Sequence, residues 1–481
     1  MIKIRPILFA VGLMLCAIAA GMLLPAGVDV ADGNEGWQVF FASSIATFFI
    51  GGLMVLVGYE DEPSRIGVKE GFLLTTISWV VVTAFAAIPF FGLGLTYTDA
   101  YFEAMSGITT TGSSVIVGLD KIPRGILLWR ALLNGIGGLG IIVMAIIMLP
   151  FLRVGGMQLF QAESSDRSEK IVPRAIELTL AIAAVYAILL FACAALFHLF
   201  GMTLFDAICH ALASVATGGF STHDESFGFF RSAALEWIAV LFMILGALPF
   251  VLFIRMGRGE LSAPFGDSQV RGFVAFLFAV VVILGVWLTI TQGIALNDAL
   301  RKAAFNVVSI ATTTGFASED YMKWGPFAVG IFFLLTFVGG CSGSTSGAIK
   351  VYRLQVAGLL TKSHFLHLIS PNRVVTLVYN GRRLPEDVPF SVVAFLAIYM
   401  TTVGIFTVLL SAMGLDLVTA LSSSAQALGN VGPGLGDIVG PAGNYASLPA
   451  PAKWALALGM LLGRLELFTV LVLLRPEFWR S

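Results

Sequence analysis

The sequence predicts an all-α polytopic membrane protein: two N-terminal helices, then four span, pore-loop, span repeats around a pseudo-fourfold pore. Three observations carry that expectation. Of 481 residues, 58% are hydrophobic and only 12% charged, where an ordinary globular domain carries about 25% charged residues. Apolar runs of the length that crosses about 30 Å of hydrocarbon recur ten times. Between them stand four short Gly-centred segments, at residues 109–113, 216–220, 312–316 and 430–434.

The expected spans lie near residues 5–26, 37–58, 71–95, 125–152, 174–200, 232–256, 270–293, 325–357, 388–413 and 452–474. Lys3 and Arg5 precede the first as they would a signal peptide. Its apolar core is long and a second span follows directly, so it reads as retained. An even number of crossings puts both termini on one side. Nineteen Lys and Arg residues fall in the loops of that side, and seven on the other: Lys121, Arg124, Arg231, Arg301, Lys302, Lys323 and Lys453. The positive-inside rule therefore predicts cytoplasmic termini and outward-facing Gly segments. With a net charge of -1 and no charged tail, nothing suggests nucleic acid; the lipid bilayer is the expected surrounding.

From residue 71 the chain repeats. The expected units are 1–70, two helices and a cytosolic link, then pore repeats 71–152, 153–258, 259–362 (with an interrupted second helix) and 363–481. Marker glycines Gly112, Gly219, Gly315 and Gly432 are separated by 107, 96 and 117 residues. Phe102, Ser106 and Thr109 to Thr111 match Phe305, Ser309 and Thr312 to Thr314 position for position. Each glycine follows a short half-helix that opens with an acid, Asp99, Asp206, Asp298 or Asp416, expected as N-caps. The C-terminal end of such a half-helix is electronegative and favours a cation.

Glycine at the turning point lets the backbone direct its carbonyls inward. Non-helical backbone at membrane depth is tolerated only where it is buried or lines a water-filled cavity. Four such segments imply a shared lumen, and rings of carbonyls can replace the hydration shell of a cation. The expected ion contacts are the backbone carbonyls of Thr110, Thr111 and Gly112, of Thr217, Gly218 and Gly219, of Thr313, Thr314 and Gly315, and of Asn430, Val431 and Gly432.

The second span of repeat 3 is broken by Gly339, Gly340, Cys341, Ser342, Gly343, Ser344, Thr345, Ser346 and Gly347. Glycine costs about 1 kcal/mol relative to alanine in a helix, so a flexible intramembrane loop is expected, as a gate or as a packing hinge. Arg464 lies within the last span, where a central arginine costs about 2.5 to 3.5 kcal/mol. It either pairs with Glu466 or the loop's carbonyls, or forms a positive barrier to a passing cation. Arg130 is expected to anchor or pair at the outer interface.

Other chemistry finds little support. Cys16, Cys193, Cys209 and Cys341 form no CxxC pair, and His364 and His367 sit in a basic stretch without a metal-site pattern. No acid, base or metal cluster points to an enzyme. A secondary transporter for another cation, with a midplane site between interrupted helices, would show inverted repeats, whereas these run in one direction.

The motifs TTTGSS, ATGGFST, TTTGFAS and NVGPGLG, with GGCSGSTSG in the third repeat, resemble the Trk/Ktr/HKT superfamily of potassium transporters over nearly the whole chain. The two extra N-terminal spans resemble the membrane subunits of bacterial Trk systems. The resemblance implies K⁺ as the transported ion, with no cofactor in this chain, and a homodimer in the bacterial cytoplasmic membrane. It implies a gate at residues 339–347 opposite Arg464, and a TrkA-like cytosolic nucleotide-binding regulatory subunit. Relatives with serine at the first filter position lean toward sodium, so Gly112 implies potassium. Ala348 replaces a glycine found in many relatives. The chain shows neither a P-loop nor a GxGxxG turn, so nucleotide control would belong to the partner. Its expected docking surfaces are the basic loops 153–174, 255–271 and 362–383.

Overall fold

A computed structural model of the chain describes residues 2–61, 67–148 and 171–480. Arg65 and the basic stretch from Arg153 to Lys170 lie outside these residues.

Helices Arg5–Ala31 and Trp37–Gly58 lie against each other. Glycines let their backbones approach, as is usual between helices in lipid: a β-carbon added at Gly12 would sit 2.7 Å from the Gly51 carbonyl oxygen. Four helix sets follow. The first is Val68–Ala86, pore helix Tyr97–Ile108 and Arg124–Met148; the second is Ile171–Leu199, pore helix Leu204–Val215 and Ala233–Ala247 with Phe250–Gly257. The third is Ser268–Gln292, pore helix Leu296–Ala311, Pro326–Leu335 and Val351–Ile369. Asp387–Ala412, pore helix Leu417–Gly429 and Ala450–Arg464 with Phe468–Leu471 form the fourth.

The long helices are apolar all round, so their outward faces need lipid rather than water. Phe191, Phe278 and Phe390 are 70 to 79% exposed on them. Inward faces build two main cores. One is shared by the second and third sets, the other by the N-terminal pair with the first and fourth sets.

Among the described residues, seven helices are long and apolar enough to cross a bilayer unbroken. Two of the expected spans are instead bent. Ala233–Ala247 and Phe250–Gly257 meet at 94°, and Ala450–Arg464 meets Phe468–Leu474 at 106°. At the first break Pro249 has no N–H to give and cannot continue the helix. At the second, Glu466 and Leu467 both take left-handed backbone, φ 57° and 44°, closing the helix without a glycine or proline to announce it. The expected crossing at 325–357 is helical over Pro326–Leu335, leaves the helix as predicted, and resumes at Val351, running on to Ile369.

The expected caps are corrected in three of four cases. Only Asp416 is an N-cap, accepting from the Thr419 N–H at 3.0 Å. Thr96 and Thr203 cap the first two pore helices, and Asp99 and Asp206 sit three residues inside, accepting from the cap hydroxyls at 2.8 and 2.7 Å. Hydroxyl caps with an acid at the third position place both charges in the electropositive first turn. Ala295 precedes the third helix without a side-chain cap, leaving Asp298 in its first turn.

Candidate functional site

Each pore helix ends in the same way. The N–H groups of Thr110, Thr217, Thr313 and Asn430 bond to carbonyls three residues back, and those of Thr111, Gly218, Thr314 and Val431 to carbonyls five residues back, at 2.8 to 3.3 Å. This is the Schellman closure, whose turning residue is left-handed and usually glycine. Here the turning residues are Thr110 (φ 51°), Thr217 (51°), Thr313 (60°) and Asn430 (52°). Left-handed backbone costs an L-residue about 1–2 kcal/mol, and a β-branched residue there is a genuine outlier. Strain of this kind persists only where the surroundings over-determine it, and it clusters at functional sites.

Two residues on, Gly112, Gly219, Gly315 and Gly432 are again left-handed, at φ 88°, 69°, 85° and 104°. Two left-handed residues per segment depart from the regular extended backbone of a strand.

The four segments close a ring. A β-carbon on Gly112 would lie 2.7 Å from the Gly218 carbonyl oxygen, and one on Gly432 would lie 2.7 Å from that of Thr111. Likewise Gly219 faces the Thr314 carbonyl and Gly315 that of Val431. Every marker glycine thus abuts the carbonyl preceding the next marker glycine, in the order 1, 2, 3, 4 and back to 1. Side chains tie neighbours further: Asn430 donates to Thr111 Oγ1 at 3.0 Å and Ser113 to the Gly432 carbonyl at 2.9 Å.

The loop from Gly339 to Gly347 sits against the C-terminal ends of three pore helices. Thr345 Oγ1 donates to the Val215 carbonyl at 3.0 Å, Ser346 Oγ to that of Thr312 at 2.7 Å, and the Ala348 N–H to that of Gly429 at 2.9 Å. Three helix C-termini therefore converge on four consecutive residues. The Gly347 N–H also donates to Thr313 Oγ1 at 2.7 Å. On its other side the loop meets the bend of the second set. Cys341 and Thr345 N–H groups take the carbonyls of Ala247 and Gly246 at 2.9 and 3.1 Å, and Phe250 N–H takes that of Gly343 at 3.0 Å. The bend frees those carbonyls; the loop satisfies them. Ser342 N–H is held by Gln269 Oε1 at 2.9 Å, and Ser344 Oγ closes on the Cys341 carbonyl at 2.6 Å.

The glycines of this loop serve contact more than freedom. A β-carbon on Gly340 would meet Ser346 Oγ at 2.6 Å and the Ala247 carbonyl at 2.8 Å, and Gly339 and Gly347 are equally enclosed. Ala348 is left-handed, φ 49°, which explains why glycine suits the position.

Arg464 is 3% exposed and donates to the Thr345 carbonyl at 2.8 Å and to the Gly137 carbonyl at 3.2 Å. Of the expected partners it takes the loop and not Glu466, which pairs with Arg353 Nη2 at 2.5 Å. Arg464, Lys350 and Ser344 help line a cavity of about 60 Å³, room for a few water-sized species. Arg130, expected to anchor or pair, is 2% exposed and ion-paired with Glu103 at 2.8 Å behind the first segment.

Sequence reasoning missed a cluster beyond the second segment. His223 Nδ1 lies 2.5 Å from Asp120 and Nε2 3.6 Å from Asp206, while Thr222 donates to Asp206 at 2.7 Å. Burial disfavours the His223 cation, yet the two carboxylates outweigh it and raise its pKa above the usual 6.5. Burial raises Asp206, but the nearby His223 ring and hydrogen bonds from Thr203 and Thr222 hold it well below the usual carboxylate range. The sequence signal was the trio Thr222, His223 and Asp224 directly after the second Gly segment.

Strained backbone closed into a fourfold ring, with three helix C-termini converging on the loop beside it inside a bundle of membrane-length helices, defines a multi-pass transport protein rather than an enzyme. Comparison with known proteins agrees. Residues 36–481 match the TrkH family model, described as a cation transport protein. The chain is 45% identical to the Trk system potassium uptake protein TrkI of Halomonas elongata, over 99% of this chain and 97% of that one. It is 38% identical to the TrkH of the same organism over the full length of both. The crystal structure of the potassium transporter TrkH from Vibrio parahaemolyticus superposes with a TM-score of 0.92 at 34% identity, covering both chains entirely. The chain belongs to the TrkH family and is an inner-membrane multi-pass protein.

Proposed function

We propose that this chain takes up potassium through the ring, where inward carbonyls of Thr110 to Gly112, Thr217 to Gly219, Thr313 to Gly315 and Asn430 to Gly432 replace part of the ion's hydration shell. The observation that carries the reading is the cyclic packing of each glycine on the next segment's carbonyl, with the left-handed pattern repeated four times. Ring carbonyls held by neighbours are pre-organised for a cation without large rearrangement. The electronegative ends of three pore helices meet just inside.

In this reading residues 339–347 are the gate. Arg464 holds the closed form through the Thr345 carbonyl and adds a positive charge beside the path. Opening exchanges those bonds for others when a TrkA-like cytosolic subunit pulls on Val351–Ile369, the helix that continues from the loop. Both termini face the cytoplasm, and the protein works as a homodimer. The loops at 255–271 and 362–383 carry the partner.

The test is K⁺ uptake by a potassium-requiring bacterial strain expressing this chain with and without a TrkA-like subunit. Uptake that depends on this chain and changes with the subunit supports both ion and partner. Uptake equal to that of the empty strain in both arms contradicts the reading.

A further inference from the structure

Nine residues before each of the first three marker glycines the pore helices carry Glu103, His210 and Asn306. Their chemistry differs, yet their structural task is the same. Ser114 Oγ donates to the Glu103 carboxylate at 3.0 and 3.1 Å, His210 Nε2 bonds to Ser221 Oγ at 3.0 Å, and Asn306 Nδ2 donates to Ser318 Oγ at 2.9 Å. Each serine lies two or three residues beyond its glycine, on the stretch that leaves the ring. The fourth repeat makes the equivalent tie one residue earlier, through Ser422 to the Leu435 N–H at 3.0 Å.

Only the first of these ties is charged, and it alone is hydrogen-bonded onward to a neighbouring segment, through Arg130; His210 meets the third segment as a ring, 5.7 Å from that of Phe316. Glu103 is fully buried. It also accepts from the Val115 N–H at 2.9 Å and from Arg130 Nε at 2.8 Å. Arg130 in turn donates to the Ser221 carbonyl at 2.8 Å and to Ser114 Oγ at 3.2 Å, and lies over the Phe220 ring at 4.1 Å. One buried ion pair thus fixes the exits of segments 1 and 2 against each other, adjoining the contact where Gly112 meets the Gly218 carbonyl.

We propose that Glu103 and Arg130 are positioning residues for ion selectivity, setting the separation of the first two ring segments from behind. This rests on reading the ring as a filter. Neither residue contacts the ion. Their pair decides whether the Gly218 and Thr111 carbonyls keep the spacing that suits a larger ion over a smaller one. A buried pair broken at one partner leaves an uncompensated charge and disturbs its surroundings strongly, and here the surroundings are the ring. The hydrogen bonds of His210 and Asn306 stay within their own repeats, so their loss leaves no buried charge at a joint between two segments.

The experiment compares K⁺ and Na⁺ fluxes through the purified full chain in vesicles for Glu103→Gln, for Glu103→Gln with Arg130→Met, and for Gly112→Ser. The double variant removes both charges and leaves none unpaired, so it gives a folded sample if the single variant does not. Recovery on gel filtration reports folding separately from the flux ratio. The expected result is a K⁺ to Na⁺ ratio about tenfold lower in both Glu103 variants, equivalent to about 1.4 kcal/mol. A parental ratio in the folded Glu103 variants, with a lowered ratio in Gly112→Ser, overturns the positioning role and leaves the filter reading intact. A parental ratio in all three overturns the filter reading itself.

Discussion

Replacing Gly112 by serine loads the ring in a way that can be worked out from its geometry. Gly112 has φ 88°, and an L-residue there costs about 1–2 kcal/mol. Its new β-carbon would stand 2.7 Å from the Gly218 carbonyl oxygen and 3.6 Å from the Gly219 Cα. Overpacking of this kind costs about 1–3 kcal/mol, so the two effects together come to roughly 2–5 kcal/mol. The contact is relieved only by moving the Gly218 carbonyl, one of the ring's own oxygens. Since a tenfold change in discrimination needs only about 1.4 kcal/mol, the substitution should lower the K⁺ to Na⁺ flux ratio about tenfold or more. Gly118 is the control. It is left-handed, φ 78°, yet a β-carbon there meets nothing within 4 Å. Gly118→Ser should therefore lose stability through the backbone alone and keep the parental ratio. Vesicle flux with the two cations, beside thermal melting, separates the effects. A parental ion ratio in folded Gly112→Ser would refute the ring as the seat of selectivity.

Three further outcomes are expected. Arg464→Ala leaves the Thr345 carbonyl without its Arg464 donor, a loss of about 1–3 kcal/mol for a buried group, and strips the second donor from the Gly137 carbonyl, which lies within helix Arg124–Met148; basal flux without a partner should rise, and unchanged flux in folded protein would remove Arg464 from the gate. Ala348→Gly relieves about 1 kcal/mol of left-handed strain in the loop, so basal flux should fall up to about fivefold; a rise would mean that the strained form is the open one. The His223 cluster stabilises the stretch that leaves the second ring segment with a definite pH sign. Because the His223 pKa is raised, its contribution is full below the unfolded value of 6.5 and fades as pH rises through the folded value. The lowered Asp206 and Asp120 contribute above 3.8 and lose their contribution as pH falls through their lower folded values. The melting temperature lost in His223→Asn should thus be greatest between these limits and shrink above pH 6.5; a loss that grows toward alkaline pH would contradict the ion-pair account.

Much of the architecture was legible because lipid imposes it. Length and apolarity announce a span, and a run such as Gly339 to Gly347 inside one cannot be helix. The ring glycines were legible because the need for left-handed backbone leaves a mark in the sequence. Thr110, Thr217 and Thr313 leave no such mark: local preference argues against their conformation, and only packing across the ring enforces it. The bend at Glu466 was hidden for the same reason, since Leu465-Glu466-Leu467 reads as continuous helix. Hydropathy gives depth but not partners, so Arg130 was placed at the outer end of its span without sight of Glu103, 27 residues earlier. The loop was expected to be glycine-rich for flexibility; three of its glycines are instead enclosed, Gly339 by the loop's own return at Gly347, Gly340 by Ser346 and the Ala247 carbonyl, and Gly347 by the Gly429 carbonyl.

The most direct test of the central claim is anomalous diffraction from crystals of the chain soaked in Tl⁺ as a surrogate for K⁺. A peak on the ring axis, between the carbonyl oxygens of Thr111, Gly218, Thr314 and Val431, is the predicted result. Ordered Tl⁺ elsewhere along the chain with none inside the ring, in protein that conducts the same ion in vesicles, would contradict it.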